Sequence, residues 1–455
     1  MEMISQLSSG LCALLLAAAL PAAAADNAVM DADFGRNGFV RVDSAQGDTA
    51  QDRAVGICPG PAGSQVLVGV RAESGMLTLA RLLPDGSLDA SYGVQGRVEY
   101  PIATPSGAPP RNLCLGDGRL DLAYTTPAGK IELLRIAASG QPDAAFGSGG
   151  RVGIDPAALP GSNSGFMTLR GADRGTGGEI LLSGELGGSG IGDGRAALIR
   201  VNANGTLRDS RLLSGGTHAY GGYIAAAGYA PNGDLWIAGI SRQDAGGNAG
   251  WCFTWFRQVL DGVNLAGDAV ELGPVGPWVY SVHGGRMVRP GVMALGMHLY
   301  ASAGGVKVPR LQILRATDSH EVELPLIAGY GEMAGSALNL VVMAGGERVM
   351  YAASLSGADG IYLARVNVGS DSTGDGLDAA FGRNGATVVA MPGQPPGCDA
   401  ADVPMQWFAR LSLWDDQPVF VGTVAADCQA ASARDLLVGR ISRVTDRIFR
   451  GDFGP

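Results

Sequence analysis

Short apolar runs alternate along the whole chain with clusters of Gly, Asn, Asp and Pro. No stretch holds the period of an amphipathic helix, so the pattern predicts strands joined by tight turns. Two strands recur most regularly. One is an apolar run after a Gly or Asp turn: Val66–Val70, Leu120–Tyr124, Ile180–Gly184, Leu235–Gly239, Leu299–Ala303, Val349–Ala353 and Val419–Gly422. The other carries an arginine in a fixed place: Arg81, Arg135, Arg200, Arg257, Arg315, Arg365 and Arg440. The two series interleave strictly, with 50 to 75 residues between successive arginines. Insertions in the loops of a repeat array give such uneven spacing.

An earlier strand, rich in small residues, precedes the pair, as at Ala54–Cys58, Asn112–Leu115, Phe166–Leu169, Tyr223–Ala227, Leu338–Met343 and Phe408–Leu413. A final strand follows, as at Arg97–Tyr100. Four antiparallel strands per unit, with small residues crowding the first, predict an all-β fold. The expected form is a seven-bladed β-propeller whose first strands line a central channel. Residues 26–455 are expected to form this single domain, with blades at about 50–100, 108–154, 164–214, 220–273, 280–329, 336–390 and 404–455.

The fullest copy of the repeat is Leu79–Val98, a strand, a turn, an Asp-x-x-aromatic-Gly corner and a second strand. It returns at Leu133–Val152 and, with a longer turn, at Leu363–Val388. Its second half alone stands at Asp31–Val42 and its first half alone at Leu436–Gly454. The split predicts that residues 26–43 close the ring, with Phe39–Val42 supplying the last strand of the C-terminal blade. Closure removes the open edges that invite aggregation.

Gly86-Ser87-Leu88-Asp89 with Tyr92-Gly93 and Gly96 follows a Gly-x-Leu-Asp-x-x-Phe-Gly-x-x-Gly signature. So do Asp143, Phe146, Gly147 and Gly150, and Asp378, Phe381, Gly382 and Gly385. The chain thereby resembles the delta-60 repeat family of bacterial exported proteins. The resemblance runs through the chain by strand pattern, and by motif through units one, two, six and the two ends. Units three to five lack the corner at Leu207–Leu213, Val263–Leu272 and Glu321–Ile327. The resemblance implies a β-propeller and export, and no particular activity.

The periodic arginines are expected to brace the scaffold, pairing Arg81 with Asp89, Arg135 with Asp143 and Arg365 with Asp378 through bidentate contacts. Arg200, Arg257 and Arg315 need other acceptors, because their units lack the corner Asp. The rival reading is a ring of guanidinium groups facing the channel and binding an anion. The corner aromatics Phe34, Tyr92, Phe146, Phe381 and Phe453 are expected to plug the core between blades.

Composition excludes some functions. The net charge is −10 and no basic run occurs, which argues against nucleic acid. Residues 1–25 read as a secretory signal, with the apolar run Leu11–Leu20 and Ala23-Ala24-Ala25 before Asp26. No later segment has the length of a membrane span. A periplasmic or extracellular location follows. Such a compartment permits disulfides. Cys398 and Cys428 lie in polar loop sequence and are the first candidates to pair; Cys58 and Cys114, in apolar strands, read equally as free thiols or as a bridge. Cys252 is then left over.

No nucleophile elbow, metalloprotease helix or kinase motif is present. The four histidines, His218, His283, His298 and His320, are not paired at metal spacing. Asp371–Asp378 reads as an elongated hairpin turn, with calcium at Asp371 and Asp375 as the lesser alternative. Aromatics are distributed unevenly. The loops expected to lead into the first strands carry His218, Tyr220 and Tyr223 in unit four and Trp278, Tyr280 and His283 in unit five. Trp407 stands at the same register in unit seven. Gathered on one face, these side chains suit sugar or peptide binding by stacking. The sequence therefore reads as a non-enzymatic binding or interaction module for an envelope polysaccharide or a protein. The alternatives are a propeller lyase or glycosidase acting at the channel mouth, or a purely structural envelope component.

Overall fold

Most strands are apolar on both faces, and the tertiary structure supplies the reason. The computed structural model describes residues 30–43, 52–71, 74–103, 110–162, 164–187, 194–212, 222–229, 234–243, 251–259, 270–274, 279–300, 307–315, 318–326, 339–343, 345–355, 360–390, 407–414, 417–425 and 434–442. The described strands form seven antiparallel sheets, with no α-helix among the described residues. The architecture is an all-β propeller. In each of the first five sheets, strands adjacent in sequence are adjacent in space.

The first strands are Asp52–Pro59, Arg111–Gly116, Met167–Arg174, Gly222–Tyr229, Val279–Arg289, Asn339–Val342 and Trp407–Trp414. Each lies against the next, and Trp407–Trp414 lies against Asp52–Pro59. The apolar core is split into seven clusters, one between each pair of neighbouring sheets. In the strand Gln65–Arg71, Val66, Val68 and Val70 face the second sheet, while Leu67 faces the seventh. A strand buried on both faces needs an unbroken apolar run rather than alternation.

The corner motif turns the chain between third and fourth strands. Tyr92 N–H donates to Asp89 O at 2.9 Å, and the Asp89 carboxylate accepts from Ser91 N–H at 3.0 Å. Gly93 sits at φ 58°, where a Cβ would lie 2.0 Å from Arg97 O. Left-handed backbone and close approach together demand glycine there. Tyr92, Phe146 and Phe381 are buried at 2%, 0% and 1% exposure, as core plugs should be.

The chain ends meet in the seventh sheet. Phe39–Val42 pairs antiparallel with Arg434–Arg440, from Phe39 opposite Gly439 to Val42 opposite Leu436. Asp31 takes the place of a corner Asp: Arg440 Nε donates to its Oδ2 at 2.8 Å. Phe34 is the corner aromatic of this sheet, fully buried beneath the Arg440 guanidinium. Phe453 lies outside the described residues, as do the segment 1–25 and the cysteines Cys398 and Cys428.

Two strands fall elsewhere than the sequence suggests. The second strand of the fifth sheet is Val292–Tyr300, not Leu299–Ala303, because the Pro290-Gly291 turn starts it earlier. The first strand of the third sheet begins at Met167 and runs to Arg174, which brings Arg170 and Arg174 into the inner strand.

Candidate functional site

Among the described residues the periodic third-strand arginines do not converge on a channel; they fasten sheets. Arg81 Nε donates to Asp89 and Arg365 Nε to Asp378, both at 2.7 Å. Arg135 departs from expectation. Its partner is Asp121, at 2.7 and 3.0 Å, because Asp121 stands directly opposite it on the neighbouring strand. Asp143 instead accepts from Ala145 N–H at 3.0 Å. Asp121 is fully buried and also receives Arg174 Nη1 from the third sheet at 2.7 Å.

Arg200 meets Asp209, its cross-strand neighbour, at 2.7 Å. Burial works against the Asp209 carboxylate, but Arg200 outweighs it and the pKa is lowered. The remaining donors reach across sheet junctions. Arg440 Nη1 donates to Pro84 O at 2.7 Å, and Arg315 Nη2 donates to Gly369 O at 3.1 Å. The Arg257 side chain lies outside the described residues.

The acidic turn Asp371–Asp378 belongs to the same bracing. Arg315 Nη2 donates to Asp375 Oδ1 at 2.6 Å, and Gly369 N–H donates to the same oxygen at 3.0 Å. His320 Nδ1 stands 3.5 Å from Asp375 Oδ2. Asp371 Oδ1 accepts from Thr373 N–H and Oγ1–H at 3.0 and 2.6 Å. Among the described residues no group of three or more His, Cys, Asp or Glu is placed to hold a metal.

The aromatic candidates are distributed differently from the sequence expectation. His218, Tyr220 and Trp278 lie outside the described residues. Tyr223, Tyr280, His283 and Trp407 fall within first strands rather than in loops before them. The side chains of Tyr280, His283 and Trp407 are outside the described set. Tyr223 is 4% exposed, packed in the core between the fourth and fifth sheets. The Arg170 guanidinium lies 4.9 Å from its ring centroid. Long strands with bulges, at Ile224/Ala226 and Val282/Gly284, absorb residues that read as loop from spacing alone.

The inner strands hold a feature that the sequence reading passed over. They were expected to be apolar or small, yet five carry arginines: Arg53, Arg111, Arg170, Arg286 and Arg410. Burial pushes Arg111 down to about 10, with further depression from the charges of Arg286, Arg170 and Arg53. Burial, then Arg286 and Arg111, push Arg410 down to about 9, with Asp173 opposing. These residues come from five different sheets and share one field, so they converge where the first strands converge. Even so lowered, Arg111 and Arg410 stay charged near neutral pH. Arg170 Nη2 lies 3.5 Å from Glu185, and Arg286 Nη1 lies 3.9 Å from Asp173. Among the described residues neither Arg111 nor Arg410 has a carboxylate at ion-pair distance. The Arg111 Nε is buried with no hydrogen-bond partner.

Asn112 holds this region together. It is fully buried, and its backbone oxygen accepts Arg410 Nη1 at 2.7 Å. Its side-chain oxygen accepts the same nitrogen. Gly56 leaves the necessary space, since a Cβ there would lie 2.2 Å from Asn112 Oδ1. Beside it, Cys58 and Cys114 form a disulfide joining the first strands of sheets one and two. The bridge closes a separation of 56 residues, worth about 4 kcal/mol by unfolded-chain entropy. Reduction, or Cys58→Ser with Cys114→Ser, is therefore expected to lower the thermal transition. Calorimetry with and without reductant checks this, and equal transitions would contradict it. The signal for the arginines was the charge within otherwise apolar first strands; unequal loops between first and third strands hid the register that Arg111, Arg286 and Arg410 share.

No protein-family model matches the chain, and no curated protein matches it. Several solved structures are similar to it at low identity. An oligogalacturonate lyase in complex with manganese aligns at 10% identity and TM-score 0.49, over 90% of this chain and 97% of that one. The β-propeller domain of the Trilobed protease from Pyrococcus furiosus aligns at 7% identity and TM-score 0.43, over 86% and 94%. An α-L-arabinofuranosidase from Fusarium graminearum aligns at 12% identity and TM-score 0.43, over 74% and 93%. At these similarities none of them bears on activity.

Proposed function

We propose that this chain is an exported, non-enzymatic propeller of the delta-60 repeat type, serving as a binding module for an envelope polysaccharide or protein. In this reading the seven sheets are blades of one ring, closed by the N-terminal strand, and the ligand enters the central channel. One observation carries it: the scaffold arginines are answered by carboxylates, whereas the inner strands gather guanidinium groups from five sheets with Arg111 and Arg410 unanswered. Structural charges are normally satisfied where they sit. Charge concentrated without partners inside a cavity suits a ligand.

The Cys58–Cys114 bridge supports an oxidising compartment. Among the described residues no helix is long and apolar enough to cross a membrane. A lyase or glycosidase would need carboxylates poised for proton transfer. Near the cluster, Asp173 and Glu185 are instead engaged by Arg286 and Arg170.

A glycan array and a pull-down from envelope extract test the reading. Retention of a glycan or protein by the intact protein, lost in the Arg111→Gln, Arg410→Gln double variant, is the expected result. Turnover of a retained glycan would replace this function with catalysis.

A further inference from the structure

We infer that the inner-strand arginines form a site for an oxyanion-bearing ligand, whose carboxylate or phosphate group is gripped by Arg111 and Arg410 and shared with Arg170 and Arg286. The inference deepens the binding-module reading and rests on it. It names the chemistry that the module recognises.

Geometry supplies the first argument. Arg111, Arg170, Arg286 and Arg410 stand on first strands of the second, third, fifth and seventh sheets. Arg410 of the seventh sheet reaches Asn112 of the second, the residue next to Arg111, at 2.7 Å, a contact that only convergence of the first strands permits. Arg111 and Arg410 are partly exposed there.

Hydrogen bonding supplies the second. A guanidinium offers donors in a planar fork that matches a carboxylate or a phosphate. The Arg111 Nε is buried without an acceptor. Arg410 spends one Nη on the backbone and side-chain oxygens of Asn112, which are neutral. That bond fixes the side chain without discharging it. The rest of the Arg410 fork meets no acceptor among the described residues. A buried donor left unpaired costs on the order of 1–3 kcal/mol, and more when charged. A bound oxyanion removes that cost and the mutual repulsion together.

Rigidity supplies the third. The Cys58–Cys114 bridge and the buried Asn112 lock the strand that carries Arg111 to its neighbour. Arg170 lies on the Tyr223 ring, which limits its rotamers. The cluster is held in place before a ligand arrives, so little ordering remains to be done on binding.

The test is a calorimetric and thermal-shift titration of the full chain at constant ionic strength. The probes are inorganic phosphate, citrate and trigalacturonate, with maltotriose as a neutral control. At least one oxyanion is expected to bind and raise the transition, while maltotriose does not. Arg111→Gln and Arg410→Gln are each expected to weaken that binding about tenfold or more, the loss of one charge-assisted contact. Arg111→Gln should unfold no earlier than the parent without ligand, because it relieves repulsion, whereas Arg410→Gln also loses its bonds to the buried Asn112. Arg36→Gln, an exposed arginine far from the cluster in the chain, should change nothing. If Arg111→Gln does not fold, Arg111→Lys keeps the charge, loses the fork and should still weaken binding several-fold. The preferred probe assigns phosphate or carboxylate as the source. Oxyanions that stabilise no more than chloride, or unchanged affinity in Arg111→Gln and Arg410→Gln, would overturn the site. A neutral glycan or protein that binds both variants as well as the parent would leave the module standing and remove the oxyanion.

Discussion

Deletion of residues 26–43 is expected to lower the unfolding transition sharply and to promote self-association. The segment supplies Phe34, Phe39 and Val42, with exposures of 0%, 9% and 1%. Burial of each is worth about 1.5–3 kcal/mol, so their joint loss is on the order of 6 kcal/mol. A typical domain has only about 5–15 kcal/mol in hand. Deletion also strips the carboxylate of Asp31 from Arg440, whose residue is 8% exposed, and removes Arg41 from Asp435. The strand Arg434–Arg440 then becomes an apolar edge with unpaired backbone groups, the usual template for association. Thermal unfolding with light scattering checks both parts. An unchanged transition would show that the pairing of Phe39–Val42 with Arg434–Arg440 contributes nothing to stability.

Asp121→Ala is expected to cost about 3–5 kcal/mol, far more than Asp89→Ala. The Asp121 carboxylate is fully buried and answers two guanidinium groups, from Arg135 in its own sheet and Arg174 in the next. Its removal leaves two charged donors in a confined space. Asp89 answers Arg81 at the periphery, where its side chain is 18% exposed. Water replaces it there, so a much smaller loss is expected. Urea denaturation of both variants gives the comparison. Equal losses would mean that Asp121 is not the junction between sheets two and three.

The sheets were largely legible in the sequence because burial on both faces writes itself as unbroken apolar runs. The third-strand arginines were legible because each occupies the same place relative to a turn. Their partners were not all legible. Arg135 prefers Asp121, its cross-strand neighbour, over Asp143, which is nearer to its copy in the motif. Register decided that, and register depends on pairing. The inner arginines escaped notice for a related reason. Arg111, Arg286 and Arg410 share one cross-strand register, each opposite the residue two past the partner of the periodic arginine, but bulges and unequal loops set them at different sequence distances from it, so no sequence period unites them. The disulfide was undecided for the same cause, since Cys58 and Cys114 become neighbours only when first strands pack side by side.

The sequence by itself determined an all-β repeat, its glycine corners and the half-motifs at its two ends. These are local matters: a positive φ, a turn, an apolar run set by burial. Only the tertiary structure decided which charges meet. It paired Arg440 with Asp31 across the whole chain, sent Arg315 to Asp375, and gathered the inner arginines from separate sheets. Coulomb interaction and hydrogen bonding depend on distance in space, and convergence of strands from several sheets creates distances that no sequence spacing records.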